Sequence, residues 1–156
     1  IANRAEDIQV YQDSLFFFKE DNHWGAVDFY GIERIPCEFK GYSKIDEGYI
    51  KLSSEKGNKV FSLYCNRVIT PGWHHDYYPF SPRYLIVKDN RRLGLINWCG
   101  QEIFKPDYNE IQPYTRNHFR VNQEGLWGVA TQEGQLLIPV IYDYIAPRKG
   151  KLCIVK

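Results

Sequence analysis

One spacing governs this chain. Trp127-Gly128 is preceded 34 residues earlier by Leu93-Gly94, another 34 earlier by Lys59-Val60, and 35 before that by Trp24-Gly25. Self-similarity at a fixed period of this size means tandem structural units. Each unit is too small to bury an apolar face alone and is completed by its neighbours. Other columns keep the same phase. Seven residues after the Trp position stand Gly31, Asn66, Gly100 and Gly134. Twelve after it stand Pro36, Pro71, Lys105 and Pro139, and fifteen after it Phe39, His74, Tyr108 and Tyr142.

Each unit has a local logic. A short apolar strand (Leu15 to Phe18, Tyr49 to Leu52, Tyr84 to Val87, Phe119 to Val121) runs into a polar turn bearing Asn or Gly. Such residues take positive φ at little cost, as hairpin turns require. A second strand opens at the Trp position, where the adjacent Gly lets a ring or backbone approach closely. A third strand, such as Leu136 to Ile138, ends at Pro, which cannot donate to a ladder. The expected fold is therefore all-β, a single domain over residues 1–156. It is read as tandem antiparallel meanders of about three strands, stacked as an open solenoid-like array, with a β-propeller-like closure as the alternative. Three strands per unit is fewer than the four of a usual blade. The units run at about 15–48, 49–83, 84–117 and 118–151. Residues 1–14 read as the tail of a preceding unit, because Ile8 to Tyr11 matches Ile111 to Tyr114 in phase, and residues 152–156 as the start of a following one.

Composition agrees with strands. The chain has 44% apolar and 16% aromatic residues, enough for a sizeable core and suited to pleated, half-buried surfaces. Net charge is +1, too small to recruit nucleic acid or an anionic membrane. Residues 1–78 carry 9 Lys+Arg against 12 Asp+Glu, and residues 79–156 carry 11 against 7, an asymmetry that would favour head-to-tail self-association if it acted at all. No apolar run approaches the ~20 residues of a spanning helix. The chain starts at Ile1 and contains no Met, so it reads as processed or trimmed, and the lack of a leader is uninformative.

The Trp-Gly pair, the Gly seven residues on, the Ile-Pro, the Tyr-Asp and the ~34-residue period together resemble the WG-repeat (KWG-repeat) family of bacterial proteins. The likeness covers nearly the whole chain. It is close in units one and four, partial in unit three, where Leu93 replaces Trp, and poor in unit two, with Lys59-Val60 for Trp-Gly and Asn66 for Gly. The resemblance implies a β-hairpin repeat array in a bacterial protein. It brings no catalytic residues, because the family shares no catalytic motif.

The repeat fails at Pro71-Gly72-Trp73-His74-His75-Asp76-Tyr77-Tyr78, and a divergent unit in a regular array is where function is added. Trp73, Tyr77 and Tyr78 offer flat rings to a glycan or protein partner, with His74 and His75 supplying hydrogen bonds. The plainer reading has the rings packing the unit and the His pair on a loop. Metal ligation by His74, His75 and Asp76 is disfavoured, since adjacent strand residues point to opposite faces. Trp98, on a tight turn, is either an interaction residue or packs on the neighbouring unit. The four Cys (37, 65, 99, 153) lack zinc or C-x-x-C spacing and read as reduced thiols. Cys65 and Cys99 share one column of adjacent units, however, so a bridge between them is conceivable.

No nucleophile elbow, phosphate loop, His-Glu-x-x-His or framed carboxylate pair occurs. No cofactor, metal, nucleic-acid partner or membrane insertion is expected. The expected function is a non-enzymatic module binding a protein or a cell-surface polymer through an extended β surface, in the envelope or outside the cell. The alternative is a structural spacer in a larger bacterial protein.

Overall fold

The computed structural model describes residues 7–11, 15–70, 72 and 74–146. All regular structure among them is β, in four four-stranded antiparallel sheets, each a meander in chain order. The first holds β1 (Asp7–Tyr11), β2 (Leu15–Glu20), β3 (His23–Asp28) and β4 (Glu33–Phe39). The second holds β5 (Gly41–Asp46), β6 (Tyr49–Ser54), β7 (Gly57–Ser62) and the two-residue β8 (Arg67–Val68). The third holds β9 (Asp76–Ser81), β10 (Tyr84–Asp89), β11 (Arg92–Asn97) and β12 (Glu102–Tyr108). The fourth holds β13 (Glu110–Thr115), β14 (His118–Gln123), β15 (Leu126–Thr131) and β16 (Leu136–Tyr142). Among the described residues no helix is long and apolar enough to cross a membrane.

The tandem meander expected from the period is present, with four strands per sheet rather than three. The extra strand is the segment that links one sequence unit to the next. Asp7–Tyr11 pairs with β2 and opens a sheet, as Glu110–Thr115 pairs with β14. The sheets thus begin one strand before the sequence units, and the count that argued against a propeller-like blade no longer does so. The strand expected at Leu152 to Val155 lies outside the described residues.

The turn chemistry follows the sequence. Asp21-Asn22 and Glu124-Gly125 both take positive φ at two adjacent positions, the type I′ geometry that matches strand twist. The Gly beside the Trp position works as expected. A Cβ on Gly25 would lie 2.9 Å from the Cys37 Cα, one on Gly94 2.6 Å from the Phe104 carbonyl oxygen, and one on Gly128 2.8 Å from that of Ile138. The fourth strand does not stop at its Pro. It passes through a bulge centred opposite that Gly and resumes pairing at Phe39, Tyr108 and Tyr142, opposite Trp24, Leu93 and Trp127. A bulge absorbs the missing N–H of Pro.

Successive sheets share three buried layers. Phe17, Ile35 and Phe39 meet Ile50, Leu52 and Phe61. Tyr49, Val60 and Ile69 meet Tyr77, Leu85 and Val87. Ile86, Leu95 and Phe104 meet Ile111, Phe119 and Val121. Strand alternation explains how a sheet serves two layers at once: on β10, Leu85 and Val87 face the second sheet while Ile86 faces the fourth. Among the described residues no buried cluster joins the first sheet to the fourth.

Candidate functional site

The antiparallel meander sorts the turns to two ends. Turns β2–β3, β6–β7, β10–β11 and β14–β15 lie at one end. Turns β3–β4, β7–β8, β11–β12 and β15–β16 lie at the other, beside turns β5–β6, β9–β10 and β13–β14. Backbone bonds tie that second set together: Leu63 N–H donates to the Gly48 carbonyl at 2.9 Å and Trp98 N–H to that of Arg83 at 2.9 Å.

The histidine cluster occupies the first end. In the other three sheets the Trp column faces an aromatic across the ladder; in the second, Asn58, one residue before that column's Lys59, faces His74 through an isolated bridge. The His74 Nδ1 lies 2.5 Å from an Asp89 oxygen, and the His75 N–H donates to the other at 3.0 Å. Asp89 ends β10, so the contact spans two sheets. Partial burial pushes the Asp89 carboxyl up, but the hydrogen bonds from His74 and His75 outweigh it and hold the group below the usual carboxylate range. The Asn58 side-chain N–H donates to the His75 carbonyl at 2.5 Å. His75 itself is 67% exposed and, with Glu55, Lys56 and Asn90, lines an open groove of about 460 Å³.

The same join recurs elsewhere without histidine. Lys40 pairs with Glu55 between sheets one and two, and Arg92 with Glu124 between sheets three and four. His74–Asp89 is the histidine member of that series. Among the described residues no three His, Cys, Asp or Glu side chains are placed to hold a metal ion.

The six candidate residues do not form one patch. Trp73 lies outside the described residues. Tyr77 is 3% exposed, inside the layer between the second and third sheets, and cannot meet a ligand. Its neighbour Tyr78 points the opposite way, as strand alternation demands, and stays exposed with the Lys88 ammonium 5.9 Å from its ring centre. Trp98 is 45% exposed but belongs to the far end, separated from the histidines by the length of β11, roughly 17 Å.

At that far end lies what sequence reading missed. Phe29, Tyr64 and Trp98 occupy one column, five residues after the Trp position, and are 74%, 57% and 45% exposed. The fourth sheet breaks the series with Gln132. Trp98 is therefore in register with two other rings. The signal was in the sequence, but scattered over three aromatic types. The next column holds Cys65 and Cys99, which form a disulfide with Cα atoms 6.1 Å apart. The reading of these two as reduced thiols is corrected. Cys37 remains free, and its thiol is pushed up by burial.

Comparison with known proteins bears on the later part of the chain. Residues 94–127 and 127–156 match the WG containing repeat. Residues 94–156 carry two adjacent WG repeats. No curated protein matches it. Among solved structures the WG-repeat chain is similar to Hsv2p of Kluyveromyces lactis at 12% identity and a TM-score of 0.36, over 86% of this chain and 50% of that one. It is similar to a eukaryotic initiation factor at 8% identity and 0.42, over 94% and 46%. It is similar to PorZ of Porphyromonas gingivalis at 10% and 0.34, over 86% and 22%. The WG-repeat chain thus spans half the length of these structures or less, and scores this low carry no argument about topology or function.

Proposed function

We propose that this WG-repeat chain is a non-enzymatic binding module that holds a protein or a cell-surface polymer on the turn tips of its stacked sheets. One observation carries the reading: three successive sheets leave a large aromatic exposed at the same column of one end. Exposed rings in register across a rigid frame lose little entropy on binding and bury much apolar area. The Cys65–Cys99 bridge fits an oxidising compartment, in the envelope or outside the cell. The His74–Asp89 pair is read as a joint rather than an acid–base dyad, because Lys40–Glu55 and Arg92–Glu124 do the same task at the other two junctions.

The test captures partners from lysate and envelope fractions, identifies them, and repeats binding with the purified partner. The wild type is compared with Trp98→Ala at one end and His75→Ala at the other. A partner lost with Trp98→Ala and kept by His75→Ala supports the module reading. A chain that retains nothing, or holds its partner equally in all three forms, is a structural spacer instead.

A further inference from the structure

We infer that Tyr64 and Trp98, clamped by the Cys65–Cys99 bridge, form a two-ring platform for a linear polysaccharide. The inference rests on the binding-module reading and names its ligand class.

The sequence sets each bridging cysteine immediately after one of the rings. With the cysteine Cα atoms 6.1 Å apart and neighbouring Cα atoms 3.8 Å apart, the Tyr64 and Trp98 Cα atoms lie within about 14 Å of each other. The bridge thus fixes two exposed rings on adjacent sheets, and a surface fixed in advance binds more tightly than one that must be ordered. Tyr64 is further held edge-on by the buried Tyr49 ring at 5.7 Å.

The floor beside the platform is mixed, with Val68 and Ile69 beside a set of polar groups. An open groove of about 510 Å³ is lined by Arg67, Asn97, Cys99, Gly100 and Gln101 and has no carboxylate in its lining. Its planar groups are held in place. The Asn97 side-chain oxygen accepts from the Cys99 and Gln101 backbone N–H groups at 3.1 and 2.9 Å, its side-chain N–H donates to the Gln101 oxygen at 3.1 Å, and Arg67 donates to the Cys99 carbonyl at 3.3 Å. The remaining Gln101 and Arg67 hydrogens are donors for hydroxyl groups.

This pairing selects one ligand chemistry. A pyranose ring has an apolar face that lies on an aromatic ring and a rim of hydroxyls that meet amide and guanidinium donors. A polymer of such rings also matches a display repeated once per sheet, at a spacing of about 10 Å. An apolar peptide segment finds only Val68 and the largely buried Ile69 in this groove. Nucleic acid finds a single cation, Arg67, in the groove's lining for its phosphates, in a chain of net charge +1.

The experiment measures binding of the purified, oxidised chain to neutral, amino-sugar and uronate-bearing linear polysaccharides by affinity electrophoresis and calorimetry. The wild type is retarded by at least one class. Tyr64→Ala with Trp98→Ala lowers that affinity by about tenfold or more with the fold retained by circular dichroism. Because Tyr64 packs on Tyr49, Trp98→Ala alone serves as the second variant, and it too weakens binding. Reduction of the bridge, or Cys65→Ser with Cys99→Ser, weakens binding in a chain that still folds. Retardation by no polysaccharide, or retardation equal in wild type and Trp98→Ala, overturns the inference. A protein partner lost with Trp98→Ala while no polysaccharide binds overturns the ligand class and leaves the module reading standing.

Discussion

The junction between the third and fourth sheets and the junction between the second and third solve one problem with different chemistry. At the former, β12 runs into β13 through the single residue Asn109, whose N–H still donates to the Asn122 carbonyl at 2.8 Å. Its layer is dense with rings: Phe119 meets Tyr84, Phe104 and Phe80 with ring centres 5.1, 5.8 and 5.9 Å away. At the latter, β8 is two residues long, seven residues separate it from β9, and the Thr70 hydroxyl accepts the Val60 N–H where a ladder carbonyl would otherwise serve. Its layer holds Tyr77 and Tyr49; the buried Tyr49 hydroxyl has no hydrogen-bond partner among the described residues, and burial pushes its phenol up to about 12. A disulfide and a His–Asp contact join what strand continuity and aromatic packing join elsewhere. The place where the repeat pattern weakens is the place where specific bonds were added.

The largest test of that contrast removes packing from the regular junction. Phe119→Ala deletes a 5% exposed ring at the centre of the aromatic layer and is expected to cost about 3–5 kcal/mol, read as a lower urea midpoint. An effect below about 1 kcal/mol would mean that the fourth sheet is held by its edges rather than by this layer.

A smaller effect separates docking from backbone preference within one column. Gly31, Gly100 and Gly134 all have positive φ. A Cβ on Gly31 meets open space, whereas one on Gly100 would stand 1.9 Å from the Ile69 carbonyl oxygen of the preceding sheet, and one on Gly134 2.4 Å from that of Ile103. Gly31→Ala should cost about 1–2 kcal/mol for the left-handed backbone alone. Gly100→Ala should add about 1–3 kcal/mol of overpacking. Equal losses in calorimetric melting would show that the column serves turn geometry only. Asn66 holds the same column in the second sheet with a Cβ of its own and φ of 48°.

What the sequence revealed follows from where its constraints are local. The period, the hairpin turns and the Gly beside the Trp position depend on near neighbours, and they stand in the structure as read. The fourth strand was missed because the linking segment reads as the tail of one unit: Ile8 and Val10 alternate with Asp7 and Gln9 yet stay exposed, and Glu110–Thr115 contains Pro113, which interrupts its pattern. The adjacent Tyr77 and Tyr78 look equivalent in sequence, and only knowledge of the sheet's buried face separates core from surface. Asp89 and the Phe29–Tyr64–Trp98 row depend on how sheets stack, which no single unit encodes.

The smallest effect probes the polar side of the comparison. Because the folded value of Asp89 is lowered, its contribution to stability is present above its unfolded value, near 4, and is lost as pH falls through the folded value. Asp76 at the same junction, which accepts from the Tyr77 N–H and Lys51, and Asp28 in the first sheet, paired with Arg34, are lowered too and lose their contributions in the same direction. Asp89→Asn removes only the first of these. At neutral pH the variant should be less stable by under about 1 kcal/mol, since the carboxylate is partly exposed. The gap from wild type should close as pH falls through the acid range. Urea midpoints measured from neutral to acid pH decide it. A gap that stays constant would mean that Asp89 matters by shape, and that the charge on this join contributes nothing the Lys40–Glu55 and Arg92–Glu124 joins do not already share.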